Sequence, residues 1–521
     1  MMSLKNNSST ESRREDLIFL KGLFIWCCCL LGLGAAAQKS EKPNFIVILV
    51  DDQGWNGLSI QMDQKNPESK STVYQTPHIA SLAHEGMRFS HAYAPASICA
   101  PSRASLLTGK STARTGFHSN TKKAQTDRLL LTRESHYLNA KDTTIAEFLK
   151  TRGYHTAHFG KWHVDPEGKN ISKSDYGPTA HGFDVSDGNN GNKQGNNNPS
   201  NDPKRTFSLA KKSINFINKQ SGEKPFYLQV SFYAVHGNPA ATPEKTALYA
   251  TGKRTLNKIH FNGAMGAMTE DLDDGIGMIL QVLQKKGLDN NTYIIYTSDN
   301  GFNNAYAYNT PLRGEKRSLY EGGNRVPFIV KGPGIKPGTQ SDIPICLYDI
   351  LPTIAGLSGG AGWLPKNIDG EDISSVLRGE KAAFNANRSL YFYFGEYEDR
   401  LLAYNRKKKL PYDKSDTIHP SGYLISGRWK LLVDMDQNRK FLYDLDEDIF
   451  ESNPVQADHP KITEKLYQEL IAYFKSVRLH YPVLNDQFNS PFIKGKSPDA
   501  DADGQDDRWE MESYLMWDAK H

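Results

Sequence analysis

Apolar positions along this chain fall into two patterns, unbroken runs and helically spaced sets. The unbroken runs cover 45–50, 224–236 and 292–301, and such runs are typical of strands that are buried on both faces of a parallel sheet. Helically spaced residues at 144–153 and 267–288 each come directly before a strand pattern. Alternating helices and apolar strands predict an α/β fold in which helices sandwich a mostly parallel sheet.

The pattern changes near residue 385. The segments SLYFYF, GYLISGRWKLLVD and KFLYDLDED have the texture of antiparallel strands, and helical spacing follows at 461–476. We therefore predict a large domain over 38–385 and a smaller C-terminal α+β subdomain with an antiparallel sheet over 386–521. The Asn- and Gly-rich stretch at 187–202 has no periodicity and is predicted to be a surface loop without a function.

The N-terminus has the three parts of a secretory signal peptide. Lys5, Arg13 and Arg14 precede an apolar run at 22–34, and three alanines follow, ending at Ala37. The run is too short to span a bilayer comfortably, and small residues are typical of a cleavage site. We predict a signal peptide over 1–37, cleavage after Ala37, a periplasmic or secreted mature protein, and no membrane span in the rest of the chain.

Charge is nearly balanced, with 63 Lys and Arg residues, 59 Asp and Glu residues and a formal net charge of +4. This balance does not favour a nucleic-acid partner. A short basic run at 406–409 fits an exposed loop, with contact to an anionic polymer as the alternative.

The five cysteines are reduced to two in an exported, processed chain. Cys27, Cys28 and Cys29 leave with the signal peptide, so Cys99 and Cys346 remain. In an oxidising compartment, their spacing leaves a disulfide and two unpaired residues equally open.

Oxygen-bearing side chains follow two of the predicted strands. Asp51 and Asp52 come directly after the first strand, and Asp299 and Asn300 come after a later one. Ligands gather at the carboxyl ends of parallel strands, and four such oxygen donors suit Ca²⁺ or Mg²⁺ better than zinc. The alternative is that each pair caps the next helix, but two pairs after matched strands favour a metal site.

Cys99 is predicted to lie at a helix N-terminus. Pro101 suits the first helical turn, 102–107 can form the helix, and Gly109 can end it. Backbone N–H groups at such a position favour an anion or an activated nucleophile, and Arg103 would add a fixed positive charge. The alternative is an ordinary buried thiol.

The segment CAPSR at 99–103, followed by SLLTG, resembles the signature of the formylglycine-dependent sulfatases. VDDQGW, GKWH, SDNG, GEKRSLYEGGNRVPFIVKGPG and the later GRWKLL and LYDLDED also occur in the order that this family shows. The resemblance covers nearly the whole mature chain and implies a fold like that of alkaline phosphatase. It also implies that a maturating enzyme oxidises Cys99 to Cα-formylglycine, which argues against the disulfide and leaves Cys346 as an unpaired thiol.

The resemblance implies a role for each residue of the predicted site. The Ca²⁺ ligands would be Asp51, Asp52, Asp299, Asn300 and the modified Cys99. Arg103 would hold the hydrated aldehyde. Lys161 and Lys316 would bind sulfate oxygens, and His163 and His236 would transfer protons. Each of these residues alone is more often structural, whereas the set in family order indicates catalysis.

We hypothesise a mechanism from these residue types. A sulfate ester repels nucleophiles, so the cation and two lysines neutralise its negative charge. His236, assisted by Lys316, protonates the leaving oxygen while one hydroxyl of the hydrated aldehyde attacks sulfur. His163 then deprotonates the second hydroxyl, which releases sulfate and restores the aldehyde.

An acidic segment near the C-terminus has the spacing of a calcium-binding loop. The ligand positions would be Asp499, Asp501, Asp503, Asp507 and Glu510. The segment departs from the EF-hand pattern, because Asp506 replaces an apolar residue and Pro498 prevents a normal entering helix. A second, structural Ca²⁺ and a solvated acidic tail are equally open.

The predicted function is a secreted sulfatase that acts on a sulfated polysaccharide or its oligosaccharides. Export and an Asn- and Lys-rich composition resemble proteins of marine polysaccharide-degrading bacteria, which points to an algal substrate such as ulvan. Carrageenan, fucoidan and animal glycosaminoglycans stay open as substrates. Asn238, Tyr308 and Arg313 are candidates for sugar contacts, although loop packing is the better explanation for each of them. One alternative is a phosphate or phosphonate ester hydrolase of the same superfamily. The other is a protein that only binds sulfated glycans because Cys99 stays unmodified.

Overall fold

A computed structural model describes residues 42–118, 129–130, 137–166, 176–188, 190–196, 198–380, 383–395, 421–435, 438–479 and 483–484. The predicted signal peptide over 1–37 and the predicted calcium loop over 499–510 lie outside the described residues. No helix within the described ranges combines the length and apolarity that a membrane crossing needs.

The strands and helices follow the alternation predicted from the apolar pattern. The strands are β1 Asn44–Val50, β2 Met87–Phe89, β3 Ala92–Tyr93, β4 Leu129–Leu130, β5 His155–Gly160, β6 Val185–Ser186, β7 Phe226–Ser231, β8 Thr292–Ser298, β9 Phe328–Lys331, β10 Thr339–Ser341, β11 Ile345–Cys346, β12 Ser389–Phe394, β13 Ser421–Ser426, β14 Trp429–Asp434, β15 Arg439–Asp444 and β16 Val483–Leu484. The α-helices are α1 Pro77–His84, α2 Cys99–Thr108, α3 Thr112–Thr115, α4 Ile145–Thr151, α5 Thr206–Asn218, α6 Pro243–Ala250, α7 Gly263–Lys285, α8 Glu321–Asn324, α9 Ile350–Leu357, α10 Ser374–Leu377 and α11 Pro460–Ser476. Short 3₁₀ helices cover Pro67–Ser69, Pro178–His181, Asn192–Gly195, Asp289–Asn291, Leu347–Asp349 and Ala361–Trp363.

The central sheet has eight strands in the order β10-β2-β9-β8-β1-β7-β5-β6. β1 pairs in parallel with β7 and β8, and β5 pairs in parallel with β6 and β7. Antiparallel pairing is confined to β9, which lies between β2 and β8. The mostly parallel sheet predicted from the sequence is therefore confirmed.

The strand β1 is buried along its whole length, because both faces of the sheet are covered by helices. Its alternate side chains enter different cores, Phe45, Val47 and Leu49 one of them and Ile46, Ile48 and Val50 the other. The first core includes α2, α4 and α9, and the second includes α1, α5 and α7. Each fully buried aliphatic side chain contributes about 1.5–3 kcal/mol, so β1 provides a rigid support for the residues that follow it.

The C-terminal part of the described chain contains the predicted antiparallel sheet. β12, β13, β14 and β15 pair in sequence order, and each neighbouring pair is antiparallel. Helix α11 packs its apolar side chains, among them Leu466, Leu470 and Phe474, against this sheet. The boundary near residue 385 stays a prediction.

One local prediction was wrong, and one predicted loop makes contacts that the sequence did not reveal. Strand β7 ends at Ser231 rather than near His236, because the following backbone leaves the ladder and hydrogen-bonds to Asp51. The stretch at 187–202 contacts the end of strand β5, and its lack of a function stays a prediction. Its Asp187 side chain accepts a hydrogen bond from the Gly160 backbone, and its Asn190 backbone accepts one from Trp162. These contacts lie on either side of Lys161.

We expect Gly160→Ala to destabilise the protein by at least about 2 kcal/mol, because it combines backbone strain with a clash. Gly160 has a φ of 104°, and a Cβ at this position would lie 2.0 Å from the Ser231 carbonyl oxygen. Gly153→Ala is the matched control, since Gly153 has a φ of 83° and open space around it. Urea denaturation of both variants measures the difference, and equal losses would contradict the close approach of β5 and β7.

Candidate active site

The two oxygen-bearing pairs meet at the carboxyl end of the sheet. β1 and β8 are parallel neighbours with Val50 opposite Ser298, so the residues that follow them come together. The Asp52 backbone N–H donates to Asp299 Oδ1 at 3.0 Å, and Asn300 Nδ2 donates to Asp52 Oδ1 at 2.8 Å. The expected convergence of these side chains is therefore present.

Cys99 is the first residue of helix α2, which points its N-terminus at these carboxylates. Gly109 ends the helix with a φ of 69°, and all ten helical residues are buried. Cys99 Sγ lies 3.4 Å from Asp51 Oδ1, 3.5 Å from Asp52 Oδ1 and 3.4 Å from Lys316 Nζ. Residue 99 therefore lies at the centre of the cluster.

Three positively charged side chains surround the carboxylates. Lys161 Nζ contacts both oxygens of Asp51 at 2.8 and 2.7 Å. Lys316 Nζ contacts both oxygens of Asp52 at 2.7 and 2.8 Å. Arg103 donates from Nε to Asp299 at 2.8 Å and from Nη1 to the Lys161 backbone carbonyl at 2.8 Å.

Burial and the nearby cations act on these carboxyl groups in opposite directions. Burial opposes ionisation of Asp51, but Lys161 and its neighbouring cations hold the pKa of that carboxyl well below its usual range. Burial likewise opposes ionisation of Asp52, and Lys316 lowers the pKa of that group. Burial prevails at Asp299, where it raises the pKa to about 6 despite the contact with Arg103.

The thiol of unmodified Cys99 is a poor nucleophile in these surroundings. Burial, reinforced by the negative charge of Asp299, raises the pKa of the thiol well above its usual range. These effects outweigh the nearby lysines and the N-terminus of α2, so the sulfur stays protonated at neutral pH. Cys99 therefore lies at a helix N-terminus, as predicted. The helix end does not stabilise a thiolate there, because the thiol pKa is raised rather than lowered.

Both predicted proton-transfer histidines are uncharged at neutral pH. Burial, together with Lys161, lowers the pKa of His163 well below its usual range, and burial lowers the pKa of His236 to about 4. His236 Nε2 lies 3.8 Å from Asp52 Oδ2, and 27% of its side chain is exposed. His163 Nδ1 is buried without a hydrogen-bond partner among the described residues.

Strained backbone conformations are concentrated at this site. The non-glycine residues with positive φ here are Asp52 at 59°, His163 at 58°, Asn238 at 56° and Arg317 at 79°. Such conformations cost on the order of 1–3 kcal/mol each and persist only where the surroundings hold them. The fold therefore holds these side chains in fixed directions.

The donor set fits a hard divalent cation. Ligand atoms of Asp51, Asp52, Asp299 and Cys99 lie within 4.8 Å of one another. Asn300 Oδ1 is buried and has no hydrogen-bond partner among the described residues. Carboxylate and amide oxygens are the ligands that Ca²⁺ and Mg²⁺ prefer.

The charge balance also fits a site that binds a cation and then an anion. Three carboxylates face three positively charged side chains, and the two histidines are uncharged. A divalent cation would leave an excess of positive charge. Such an excess favours an anionic group in a buried site.

Lys204 is a site residue that the sequence did not reveal. Its ammonium group donates to the backbone carbonyls of His236 at 3.3 Å and Gly237 at 3.1 Å, and to Asn196 Oδ1 at 3.3 Å. Burial lowers the pKa of Lys204 to about 8. Nothing in the surrounding sequence distinguishes this lysine from surface lysines, because its acceptors come from a distant turn.

The candidate sugar-contact residues lie in packed loops. The Asn238 backbone N–H donates to Tyr306 Oη at 3.2 Å, and the Tyr308 ring lies 5.2 Å from the Phe261 ring. Arg313 stacks on Tyr320 at 3.9 Å. The contact with Tyr320 shows that the Arg313 side chain packs against its own loop.

The two cysteines of the predicted mature chain are both free and buried. Cys346 pairs through β11 with Tyr93 of β3, on a different sheet from the site. The disulfide alternative is therefore excluded, and the prediction of an unpaired Cys346 is confirmed.

Comparisons with known proteins agree with this geometry. A family model described as Sulfatase matches residues 43–360. The chain is 29% identical over 520 residues to a sulfatase of Formosa agariphila, with 87% of this chain and 91% of that protein covered. It is 30% identical over 369 residues to an ulvan-active sulfatase of the same organism, with 66% of each protein covered.

The fold also has solved counterparts. The crystal structure of Ps i-CgsB in complex with k-i-k-neocarrahexaose superposes with a TM-score of 0.66 at 22% identity, covering 88% of this chain and 99% of that chain. At this identity the likeness concerns the fold. It confirms the predicted alkaline-phosphatase-like α/β architecture with a C-terminal antiparallel sheet.

Proposed function

Because this chain belongs to the sulfatase family and is a sulfuric ester hydrolase, we propose that it hydrolyses sulfate esters of a polysaccharide or its oligosaccharides through formylglycine at position 99. One observation carries this proposal. Cys99 Sγ lies within 3.5 Å of two carboxylates and one lysine at the N-terminus of a buried helix. These neighbours can bind a cation and a sulfate group around residue 99.

Asp51, Asp52, Asp299 and Asn300 would hold the metal ion, which we propose is Ca²⁺. The ion would supply charge that polarises the sulfate group. The buried oxygens support this role, and Asn300 Oδ1 is the ligand atom for which no other partner is present among the described residues. Arg103 would fix the direction of Asp299 through its two contacts with Oδ2 at 2.8 and 2.7 Å.

The formylglycine at position 99 would supply, as its hydrate, a hydroxyl nucleophile and a second hydroxyl that lets sulfate depart. Lys161, which contacts Asp51, and Lys316, which contacts Asp52 and residue 99, would bind the sulfate oxygens. Burial opposes the charge of Lys316, but Asp52 outweighs burial and raises the pKa of Lys316, so this side chain stays protonated. It can therefore hold a proton close to the leaving oxygen.

The two histidines would act in their uncharged forms. His163 can accept a proton at Nδ1, which has no other hydrogen-bond partner among the described residues. His236 is partly exposed and near Asp52, so its ring can reach a bound ester from the solvent side. We propose that His163 serves as the base, that protonated Lys316 supplies the proton to the leaving oxygen, and that uncharged His236 donates a hydrogen bond to the same oxygen.

A sulfated glycan is the proposed substrate, with ulvan as the first candidate. The ulvan-active relative and the carrageenan-oligosaccharide complex support a polysaccharide substrate. The signal-peptide pattern over 1–37 supports export to the periplasm or medium, where such substrates occur. A maturating enzyme that oxidises Cys99 is the further partner that this proposal requires.

A substrate panel tests the proposal. The protein, produced together with a maturating enzyme, is incubated with ulvan, carrageenan, fucoidan and glycosaminoglycan oligosaccharides, and free sulfate is measured by ion chromatography. We expect sulfate release from at least one of these glycans, with a Cys99→Ala preparation as the control for contaminating enzymes. An aryl phosphate and a phosphonate monoester serve as competing substrates. Faster hydrolysis of either, with no sulfate release, would support the phosphatase or phosphonatase alternative.

A further inference from the structure

The position of Lys316 depends on an irregular segment over 313–320. The Lys316 backbone N–H donates to the Phe302 carbonyl at 2.9 Å, and the Arg317 backbone N–H donates to the Ser97 carbonyl at 2.8 Å. The segment has no helix or strand of its own and continues directly into α8, which begins at Glu321. Contacts that hold Glu321 in place therefore also hold the C-terminal end of the segment that carries Lys316.

Two residues of the C-terminal part of the chain fix Glu321. Lys430 lies in β14, and its Nζ contacts Glu321 Oε1 at 3.0 Å and Glu451 Oε1 at 2.8 Å. The Glu321 backbone N–H donates to Glu451 Oε2 at 2.6 Å. The three side chains are completely buried.

Glu451 also contacts the beginning of the segment. Its backbone carbonyl accepts a hydrogen bond from Arg313 Nη1 at 2.9 Å. The Arg313 carbonyl in turn accepts a hydrogen bond from the Gly322 backbone N–H at 2.7 Å. Glu451 thus contacts both ends of the segment, one end through its carboxylate and the other through its main chain.

The cluster around Glu321 has balanced charges and a defined geometry. Glu321 Oε2 accepts a hydrogen bond from Tyr93 Oη at 3.0 Å and lies 3.6 Å from Arg325 Nη1. Apolar residues of similar volume often stabilise a fold as much as a buried ion cluster does. We therefore expect this cluster to fix the position of its residues more than to stabilise the fold. The part of the site next to the cluster is the segment that carries Lys316.

We propose that Lys430 and Glu451 are positioning residues for Lys316. They hold the 313–320 segment so that Lys316 Nζ lies 2.7 Å from Asp52 and 3.4 Å from residue 99. The inference rests on the proposed function in so far as Lys316 acts on the substrate. Both residues lie outside the part of the chain that matches the sulfatase family model, which ends at residue 360. The C-terminal antiparallel sheet therefore contributes to catalysis through the position of Lys316.

The test is a double-mutant cycle in the full-length, matured enzyme. Lys430→Met should lower kcat by about 10- to 100-fold, because small displacements of a catalytic group have effects of this size. In a Lys316→Ala background the same change should cost little more, because there is no longer a Lys316 ammonium to position. Hydrogen exchange in the 313–320 segment should rise in Lys430→Met.

Arg388→Met is the matched control, because Arg388 is also buried and its ion-pair partner, Asp349, belongs neither to the 313–320 segment nor to the cluster around Glu321. It should lower stability but leave kcat and exchange in 313–320 close to the wild-type values. If Lys430→Met fails to fold, the double variant Lys430→Met/Glu451→Gln removes one charge of each sign and should fold while keeping the low kcat.

Two results would overturn the inference. One is a folded Lys430→Met or double variant with wild-type kcat, and the other is a loss that multiplies fully with that of Lys316→Ala. Absence of sulfate release by the wild-type enzyme would instead overturn the proposed function.

Discussion

Cys99→Ala is expected to abolish sulfate release, with a fall in kcat/KM of at least about 10⁴-fold. The alanine side chain cannot become an aldehyde, so no nucleophile remains between Asp51, Asp52 and Lys316. Cys99→Ser should fail as well, since a serine sulfate ester lacks a second hydroxyl through which sulfate can depart. Both variants are assayed by ion chromatography of free sulfate against the glycan that the wild-type enzyme hydrolyses.

Cys346→Ala is the matched control for this experiment. Both cysteines are buried and free, so both substitutions remove a buried sulfur, but only Cys99 lies among the site residues. We expect Cys346→Ala to retain wild-type kcat after correction for any loss of folded protein. Retention of activity in Cys99→Ala would rule out residue 99 as the nucleophile.

Removal of the divalent cation is the change with the next largest expected effect. A chelator should lower activity by about 10³-fold or more, because the charge of the sulfate ester is then opposed by side chains alone. Calcium should restore activity at a lower concentration than magnesium. Calcium should also raise the melting temperature of the wild-type protein, since a ligand that binds only the folded state stabilises it.

The increase in melting temperature with calcium distinguishes a loss of metal binding from other causes of lost activity. Asp299→Ala should lose both the activity and the increase in melting temperature with calcium. Asp274→Asn is the control, because Asp274 belongs to a second acidic group, with His78 and Asp273, away from the site. Calcium stabilisation that persists in Asp299→Ala but disappears in Asp274→Asn would place the ion elsewhere.

The sequence predicted those helices and strands whose apolar residues follow a regular pattern within the element itself. The unbroken run of β1 is buried on both faces, and the predicted helix before β5 begins with a capping box between Thr144 and Glu147. Strand β7 was predicted too long, because residues after Ser231 stay buried and apolar although they have left the sheet. Apolar residues indicate that a segment is buried, but they do not indicate where its hydrogen bonding to the sheet ends.

The candidate site was predictable to the extent that its residues follow strands or lie in motifs. Asp51, Asp52, Asp299 and Asn300 converge because β1 and β8 are parallel neighbours. Helix α2 was expected from its proline and its terminal glycine, and it begins at Cys99.

The residues that support the site could not be predicted in this way. Lys204, Lys430 and Glu451 act through contacts with residues 32, 109 and 130 positions away in the sequence. Contacts over such distances leave no periodicity in the chain. Lys430 lies in a predicted strand, but only the folded structure shows that the side chains of Lys204, Lys430 and Glu451 are buried and which residues they contact.

We propose that residue 99 is a formylglycine in the active enzyme, and the mass of the tryptic peptide 89–103 tests this proposal directly. The enzyme is purified on the basis of its sulfatase activity, digested, and the peptide that ends at Arg103 is analysed by mass spectrometry. We expect a peptide in which an aldehyde replaces the CH₂SH group of Cys99, in an amount proportional to the specific activity of each preparation. Fully active enzyme that contains only unmodified Cys99 would contradict it.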